Sequence, residues 1–244
     1  MKVIIASIGS NRGRLITLAK RNGFDPVFVS ALKIVWLDIS KELAGCLSDA
    51  VYSWAIFAST TAASLFLGHD RLVRSLKGAR VAAVGSGTAS FLRRRGLKVD
   101  FVPSEYTTER LAEELPADPG SRVLILRSED GSHRAEEMLI TRGIIPCRLD
   151  LYRTSFVDRP LKSDRIQGAK IVIFGSSKEV MGLENRLSIS GISEFKKSAI
   201  AASIGPLTRD TAMKMGYRVI DIPKAYTYRS LFELLGELKL EGRI

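Results

Sequence analysis

Short apolar runs recur along the chain, and the stretches between them return an apolar residue every three or four positions. Residues 3–6, 27–29, 54–57, 81–84, 99–102, 123–126, 171–174, 199–204 and 219–222 are rich in Val, Ile, Ala and Phe, with little room for a polar face. Such runs read as strands buried on both sides. The segments 87–95 and 107–115 carry helical periodicity instead. Strands alternating with helices predict an α/β fold, with parallel sheets covered by helices on both faces.

The pattern occurs twice. Val84-Gly85-Ser86-Gly87-Thr88 is followed by Gly96, Pro103, Thr107 and Leu111. Ile204-Gly205-Pro206-Leu207-Thr208 is followed by Gly216, Pro223, Thr227 and Leu231, each 120 residues after its counterpart. The same offset relates residues 3–6 to 123–126, Gly23 to Gly143 and Pro26 to Pro146, while 117 residues separate Phe57 and Ser59 from Phe174 and Ser176. A constant offset over so many positions means two homologous halves.

Each repeated position has a physical reason. Gly85 and Gly205 are expected to let a strand turn into a helix. Thr88 and Thr208 fall in the first helical turn, where backbone N–H groups lack intrahelical partners. Gly96 and Gly216 suit left-handed C-caps, and Thr107 and Thr227 suit N-caps. The basic run Arg93-Arg94-Arg95 ends its helix where cations favour the dipole. Two extended candidates, 32–37 and 149–155, follow the second strand of each copy. Strands that outgrow their own sheet could cross to a neighbouring body and form a two-stranded hinge.

Composition narrows the functions. At 244 residues, with 45% hydrophobic and 26% charged residues, the chain suffices for one large or two compact globular domains. No apolar run reaches the ~18 residues of a membrane span, and Gly9 and Asn11 interrupt the N-terminal run too early for an export signal. The expectation is a cytoplasmic protein. Cys46 and Cys147 sit in no ligand-spaced motif and read as buried thiols; with only His69 and His133, metal or triad chemistry has little material. The net charge of +11 implies attraction to anions: nucleic acid, a membrane surface or a small polyanion. Strand-borne aromatic–basic interleaving and nucleic-acid motifs are missing, so nucleic acid ranks last.

Four strand-to-helix turns carry small polar residues. They are Ser59-Thr60-Thr61, Gly85-Ser86-Gly87-Thr88, Ser176-Ser177-Lys178 and Gly205-Pro206-Leu207-Thr208. Ligands of open parallel sheets bind beyond the carboxyl ends of the strands, where helix N-termini favour carboxylate or phosphate. Any one turn could simply cap its helix; four facing one cleft favour anion binding. Ser90 breaks the glycine fingerprint after Gly85, so nucleotide binding is weakly supported. Tyr152, in the proposed hinge, could present its hydroxyl to the cleft or be an interfacial aromatic. Arg127 could pair with a ligand carboxylate, or with Glu129 or Asp130.

Together, the two Gly-to-Thr segments with their following Pro, Thr and Leu, the Phe57-x-Ser59 and Phe174-x-Ser176 turns, and Tyr152-Arg153-Thr154 resemble the uroporphyrinogen-III synthase family over nearly the whole chain. The resemblance implies two similar three-layer (α/β/α) parallel-sheet domains with swapped ends. Residues 1–32 with 154–244 would form the first, 38–148 the second, and 33–37 with 149–153 the connecting strands. It also implies a cofactor-free, metal-free monomer. Its reaction would cyclise the linear tetrapyrrole hydroxymethylbilane with loss of water and inversion of ring D. Tyr152 matches the family's tyrosine near the departing hydroxyl. Ser59, Thr60, Gly85, Ser86, Thr88, Arg127, Ser176, Ser177, Lys178, Gly205, Pro206 and Thr208 would bind the polycarboxylate substrate. The chain departs from the family at Ser7-Ile8-Gly9, where an arginine usually follows the first strand, and at Ala58 and Gly175, where the family's turns read Phe-Thr-Ser. The alternative is a relative that keeps the clamp without the chemistry and binds an anionic metabolite in the interdomain cleft.

Overall fold

A computed structural model describes residues 1–9, 12–39, 51–190 and 194–244, so Cys46 lies outside the described residues. The chain opens with β1 (Lys2–Ile8), α1 (Arg12–Arg21) and β2 (Asp25–Trp36). Next come β3 (Trp54–Phe57), α2 (Thr60–Leu67), α3 (Asp70–Ser75), β4 (Arg80–Ala83), α4 (Ser86–Arg94), α5 (Thr108–Glu114), β5 (Arg122–Ser128), α6 (Arg134–Thr141) and β6 (Ile145–Phe156). The remainder forms α7 (Ser163–Ile166), β7 (Ile171–Phe174), α8 (Ser177–Ile189), α9 (Phe195–Ser198), β8 (Ile200–Ser203), α10 (Pro206–Lys214), β9 (Arg218–Val219) and α11 (Tyr228–Leu240). No helix among the described residues is long and apolar enough to cross a membrane.

The chain divides into two compact units, residues 1–34 with 155–244 and residues 35–154. It passes from one to the other within β2 and returns within β6. Val157 N–H donates to the Ala31 carbonyl in the first unit, and Leu37 N–H donates to the Leu151 carbonyl in the second. The first unit thus joins chain from both ends of the sequence, and the second is one continuous stretch that spans the junction of the two copies.

In the first unit the strand order is β2-β1-β7-β8-β9, with parallel pairings throughout. Successive β1 side chains point to opposite faces, and both faces are covered. Ile4 and Ala6 pack with Val180 and Leu183 of α8 and Ala212 of α10. Val3 and Ile5 pack with Leu15 of α1 and Leu231, Phe232 and Leu235 of α11. Burial on both faces is why β1 reads as an unbroken apolar run. Each such Val, Ile, Leu or Phe contributes roughly 1.5–3 kcal/mol on leaving water.

The second unit repeats the plan with order β4-β3-β5-β6, again parallel. Trp54, Ile56, Val123 and Ile125 pack with Leu111 and Leu115 from α5 and its cap, and with Leu139 of α6. On the opposite face Phe57 meets Phe66 of α2 edge-on at 5.4 Å. The repeat extends to an irregularity: the register slips between Ser7 and Ile8 against β2, and between Arg127 and Ser128 against β6. Ala31 and Leu151, 120 residues apart, are the residues passed over.

Three expectations change. The extended segments 32–37 and 149–155 continue the second strand of each copy rather than following it, so β2 and β6 are each 12 residues long. Residues 99–102 form only a bridge, Ala82 with Phe101. They lie at the sheet edge, Asp100 accepts from Val81 N–H through its side chain at 2.9 Å, and Pro103 has no N–H to continue the ladder. Residues 219–222 likewise shrink to β9, only two residues long and followed by Pro223.

Candidate functional site

Parallel pairing puts the carboxyl ends of all strands in a unit on one edge. In the second unit this edge gathers Ser59 after β3, Gly85 after β4, Arg127 and Ser128 at the end of β5, and Tyr152 of β6, which pairs with Ser128 beyond the register slip. The Ser59 and Tyr152 hydroxyl oxygens lie 3.0 Å apart. Ser59 is also the N-cap of α2, its Oγ accepting from Ala62 N–H at 3.0 Å. The cap fixes Ser59, and Ser59 fixes the tip of Tyr152, whose side chain is otherwise buried. When Ser59 donates to Tyr152, the phenolic proton is left for an outside acceptor, which makes Tyr152 a positioned weak acid. Among the described residues the first unit has no equivalent. Ser176 matches Ser59, but Leu32, paired with Ile8 at the corresponding slip, stands where Tyr152 stands.

Arg127 is not aimed at solvent. It is 4% exposed, and its Nη1 donates to both carboxylate oxygens of Glu136 on α6, at 3.0 and 3.2 Å. The intramolecular partner is therefore Glu136, not Glu129 or Asp130, because the side chain turns under the β5–α6 loop instead of along it. Gly131 accommodates the guanidinium, since a Cβ there would collide with Arg127.

The position 120 residues earlier is Ser7, which is fully buried. Its hydroxyl donates to Glu179 Oε1 at 2.7 Å, while Glu179 Oε2 accepts from Gly175 N–H at 2.6 Å and from the Tyr228 hydroxyl at 3.3 Å. Burial holds the Glu179 carboxyl above its ordinary range, and these donors only partly offset it. The Tyr228 hydroxyl is also raised, first by burial and then by the Glu179 charge.

The four turns fall into two kinds. Ser59 and Ser176 cap their own helices, Ser176 Oγ accepting from Glu179 N–H at 3.3 Å. Gly85 and Gly205 supply no side-chain cap to α4 and α10. Their backbones are extended (φ −155°, ψ 167°), a conformation open to any residue, so conformational freedom does not explain these glycines. Thr60, Ser86 and Pro206 are exposed, Ser177 and Lys178 half-buried, and Thr88 and Thr208 buried beneath their helix ends. Ser177 Oγ donates to the Leu207 carbonyl and accepts from Thr211 Oγ1 at 2.9 Å, tying the turn after β7 to α10.

The family model described as uroporphyrinogen-III synthase HemD matches residues 13–233. The chain belongs to the uroporphyrinogen-III synthase family. A uroporphyrinogen-III synthase of Synechococcus elongatus is 28% identical over 211 residues, covering 80% of this chain and 78% of that protein. Two solved structures share the fold. The uroporphyrinogen-III synthetase of Helicobacter pylori matches with TM-score 0.64 at 19% identity, over 98% of this chain and all of that one. A mutant uroporphyrinogen III synthase of Thermus thermophilus matches with TM-score 0.56 at 17% identity, over 99% of each chain.

Two departures from the family pattern have a local cause. A Cβ at Gly175 would collide with the Tyr228 hydroxyl, so threonine in this turn is incompatible with Tyr228 reaching Glu179. At Ser7 the small hydroxyl meets a carboxylate already supplied with backbone and phenolic donors, whereas Glu136 is met by two guanidiniums, Arg127 at 3.0 Å and Arg148 at 3.4 Å. The Ser7–Glu179–Tyr228 cluster was not expected from sequence. Its signal was present: Ser176-Ser177-Lys178-Glu179 is a capping-box pattern, and the Glu179 carboxylate takes the N–H groups of both Gly175 and Ser176.

Proposed function

We propose that this chain is a uroporphyrinogen-III synthase: a lyase that takes hydroxymethylbilane, removes the terminal hydroxyl as water and closes the ring with ring D inverted. Family membership over residues 13–233 supports the reaction class. The observation that carries the chemistry is the Tyr152 hydroxyl held 3.0 Å from Ser59 Oγ at the carboxyl edge of the second unit.

The cyclisation is redox-neutral. A C–O bond to the hydroxymethyl carbon breaks, water leaves, and a C–C bond forms to ring D. In this reading Tyr152 donates a hydrogen bond to the departing hydroxyl, while Ser59 keeps the phenol oriented. Ring D then attacks through its substituted carbon, and the resulting spiro intermediate reopens and recloses. Spontaneous closure gives the symmetrical isomer, so the protein must mainly hold the bent chain in the orientation that favours the substituted carbon. The substrate's carboxylates match a chain of net charge +11 whose helix N-termini carry positive dipole ends. In this reading the exposed turns at Thr60, Ser86 and Pro206, with Ser177 and Lys178, receive carboxylates. Thr88 and Thr208 support them from below. Arg127 acts indirectly, by holding the β5–α6 loop through Glu136.

The test is direct. The protein is incubated with hydroxymethylbilane, the products are oxidised and the isomers separated. Isomer III in excess supports the reading. Isomer I alone, as in buffer, would overturn it and leave a binding protein that lacks the chemistry.

A further inference from the structure

Two large aromatic rings stand in solvent at matching places. Tyr106 is 62% exposed and Tyr226 is 61% exposed, and they lie 120 residues apart, one in each unit. Each follows the carboxyl-edge turn of its unit and immediately precedes a threonine N-cap. Thr107 Oγ1 accepts from Arg110 N–H, and Thr227 Oγ1 accepts from Ser230 N–H. The chain bends identically at both, with Thr107 N–H donating to the Glu105 carbonyl at 2.8 Å and Thr227 N–H to the Ala225 carbonyl at 2.7 Å. The rings are therefore set by backbone geometry rather than hanging from a loose loop.

Each ring is backed by a glycine of the uncapped turn. A Cβ at Gly85 would sit 3.3 Å from Tyr106 Cβ and Cγ, tighter than ordinary contact, and one at Gly205 would touch Tyr226 Cγ at 3.9 Å. Since both glycines are extended, room for the ring is what residue 85 requires. One side of each phenol rests on the N-terminal turn of α4 or α10, and the rest is left to water. A single exposed aromatic needs no explanation. The same ring kept at the same place in both halves, although much of the surrounding sequence has diverged, is a different matter.

We propose that Tyr106 and Tyr226 are positioning residues whose ring faces pack against pyrrole rings of the tetrapyrrole. This rests on the function proposed above. Phenol and pyrrole are both flat π systems, and offset or edge-on packing between such rings fixes orientation as well as adding affinity. Orientation is what the reaction demands, because a chain free to turn closes to the symmetrical isomer unaided.

The experiment compares Tyr106→Ala, Tyr226→Ala and the matching Phe variants in the full chain. Each alanine should raise KM for hydroxymethylbilane about two- to tenfold, the range expected for one aromatic pair. The product should shift towards isomer I, and the thermal midpoint should stay put. Phenylalanine should restore KM, because the face rather than the hydroxyl makes the contact. Unchanged KM and isomer ratio in both alanine variants would overturn the proposal, as would Phe variants as impaired as Ala. Uroporphyrin III binding, followed by porphyrin fluorescence, separates this proposal from the function itself. If wild type makes no isomer III but the alanine variants bind this probe several-fold more weakly, the ring contacts stand and the catalytic reading falls. If they bind it as wild type does, the ring contacts fall.

Discussion

Tyr152 and Leu32 occupy matching positions in the two halves, and only one carries a hydroxyl. The duplication thus supplies the frame twice and this hydroxyl pair once. Tyr152→Phe keeps the ring and removes the donor, so turnover should fall several-fold while urea unfolding is unchanged; kinetics equal to wild type would remove Tyr152 from the mechanism. Arg127 belongs to stability. Arg127→Ala leaves Glu136 buried without its main partner, which should cost about 3–5 kcal/mol in urea unfolding. Its loss of activity should follow its loss of fold. Glu179 predicts a pH effect of definite sign. Its folded carboxyl is raised above the ordinary value of 4.5, chiefly by burial. The stability it contributes is therefore fully present below that ordinary value and is lost as pH rises through the folded one. Thermal midpoints of wild type should fall relative to Glu179→Gln as pH climbs from the carboxylate range towards neutrality; parallel curves would contradict the assignment. At this scale the sequence was partly legible. Thr107 and Thr227 cap as their type dictates. The partner of Arg127 was not readable, because a long side chain can turn to a helix nine residues away as easily as to the next loop.

Helices and strands followed their patterns where one environment acted on the whole segment. Both-face burial made β3 and β7 legible to the residue, and left-handed Gly96 and Gly216 (φ 85° and 88°) end α4 and α10 as their positions suggest. The pattern failed at sheet edges, where residues 99–102 lose most of their ladder to an Asp100 side chain and a proline. It also broke β2 in two, because Ser30 interrupts the apolar run while the backbone continues through the register slip at Ala31. One close approach was invisible in sequence. Gly182 of α8 lies against the slip in β2, and a Cβ there would meet the Ala31 carbonyl oxygen at 2.5 Å. Gly182→Ala must push helix from sheet, at a cost of about 1–3 kcal/mol. Chemical unfolding would show it, and an unchanged midpoint would mean that α8 shifts freely.

The whole chain is two copies of one α/β plan, closed by exchanging ends through β2 and β6. Its sequence made the duplication plain because each copy must solve the same turn, cap and edge problems. What it could not show is what two of the diverged positions do: a buried ion pair with Glu136 at Arg127 and a carboxyl cluster at Ser7. We propose that this asymmetric pair of copies directs hydroxymethylbilane to the inverted ring. The most direct measurement is the isomer ratio formed from hydroxymethylbilane by the wild-type protein. Uroporphyrinogen III should predominate, in contrast to buffer alone. A product no richer in isomer III than that of the spontaneous reaction would contradict the account.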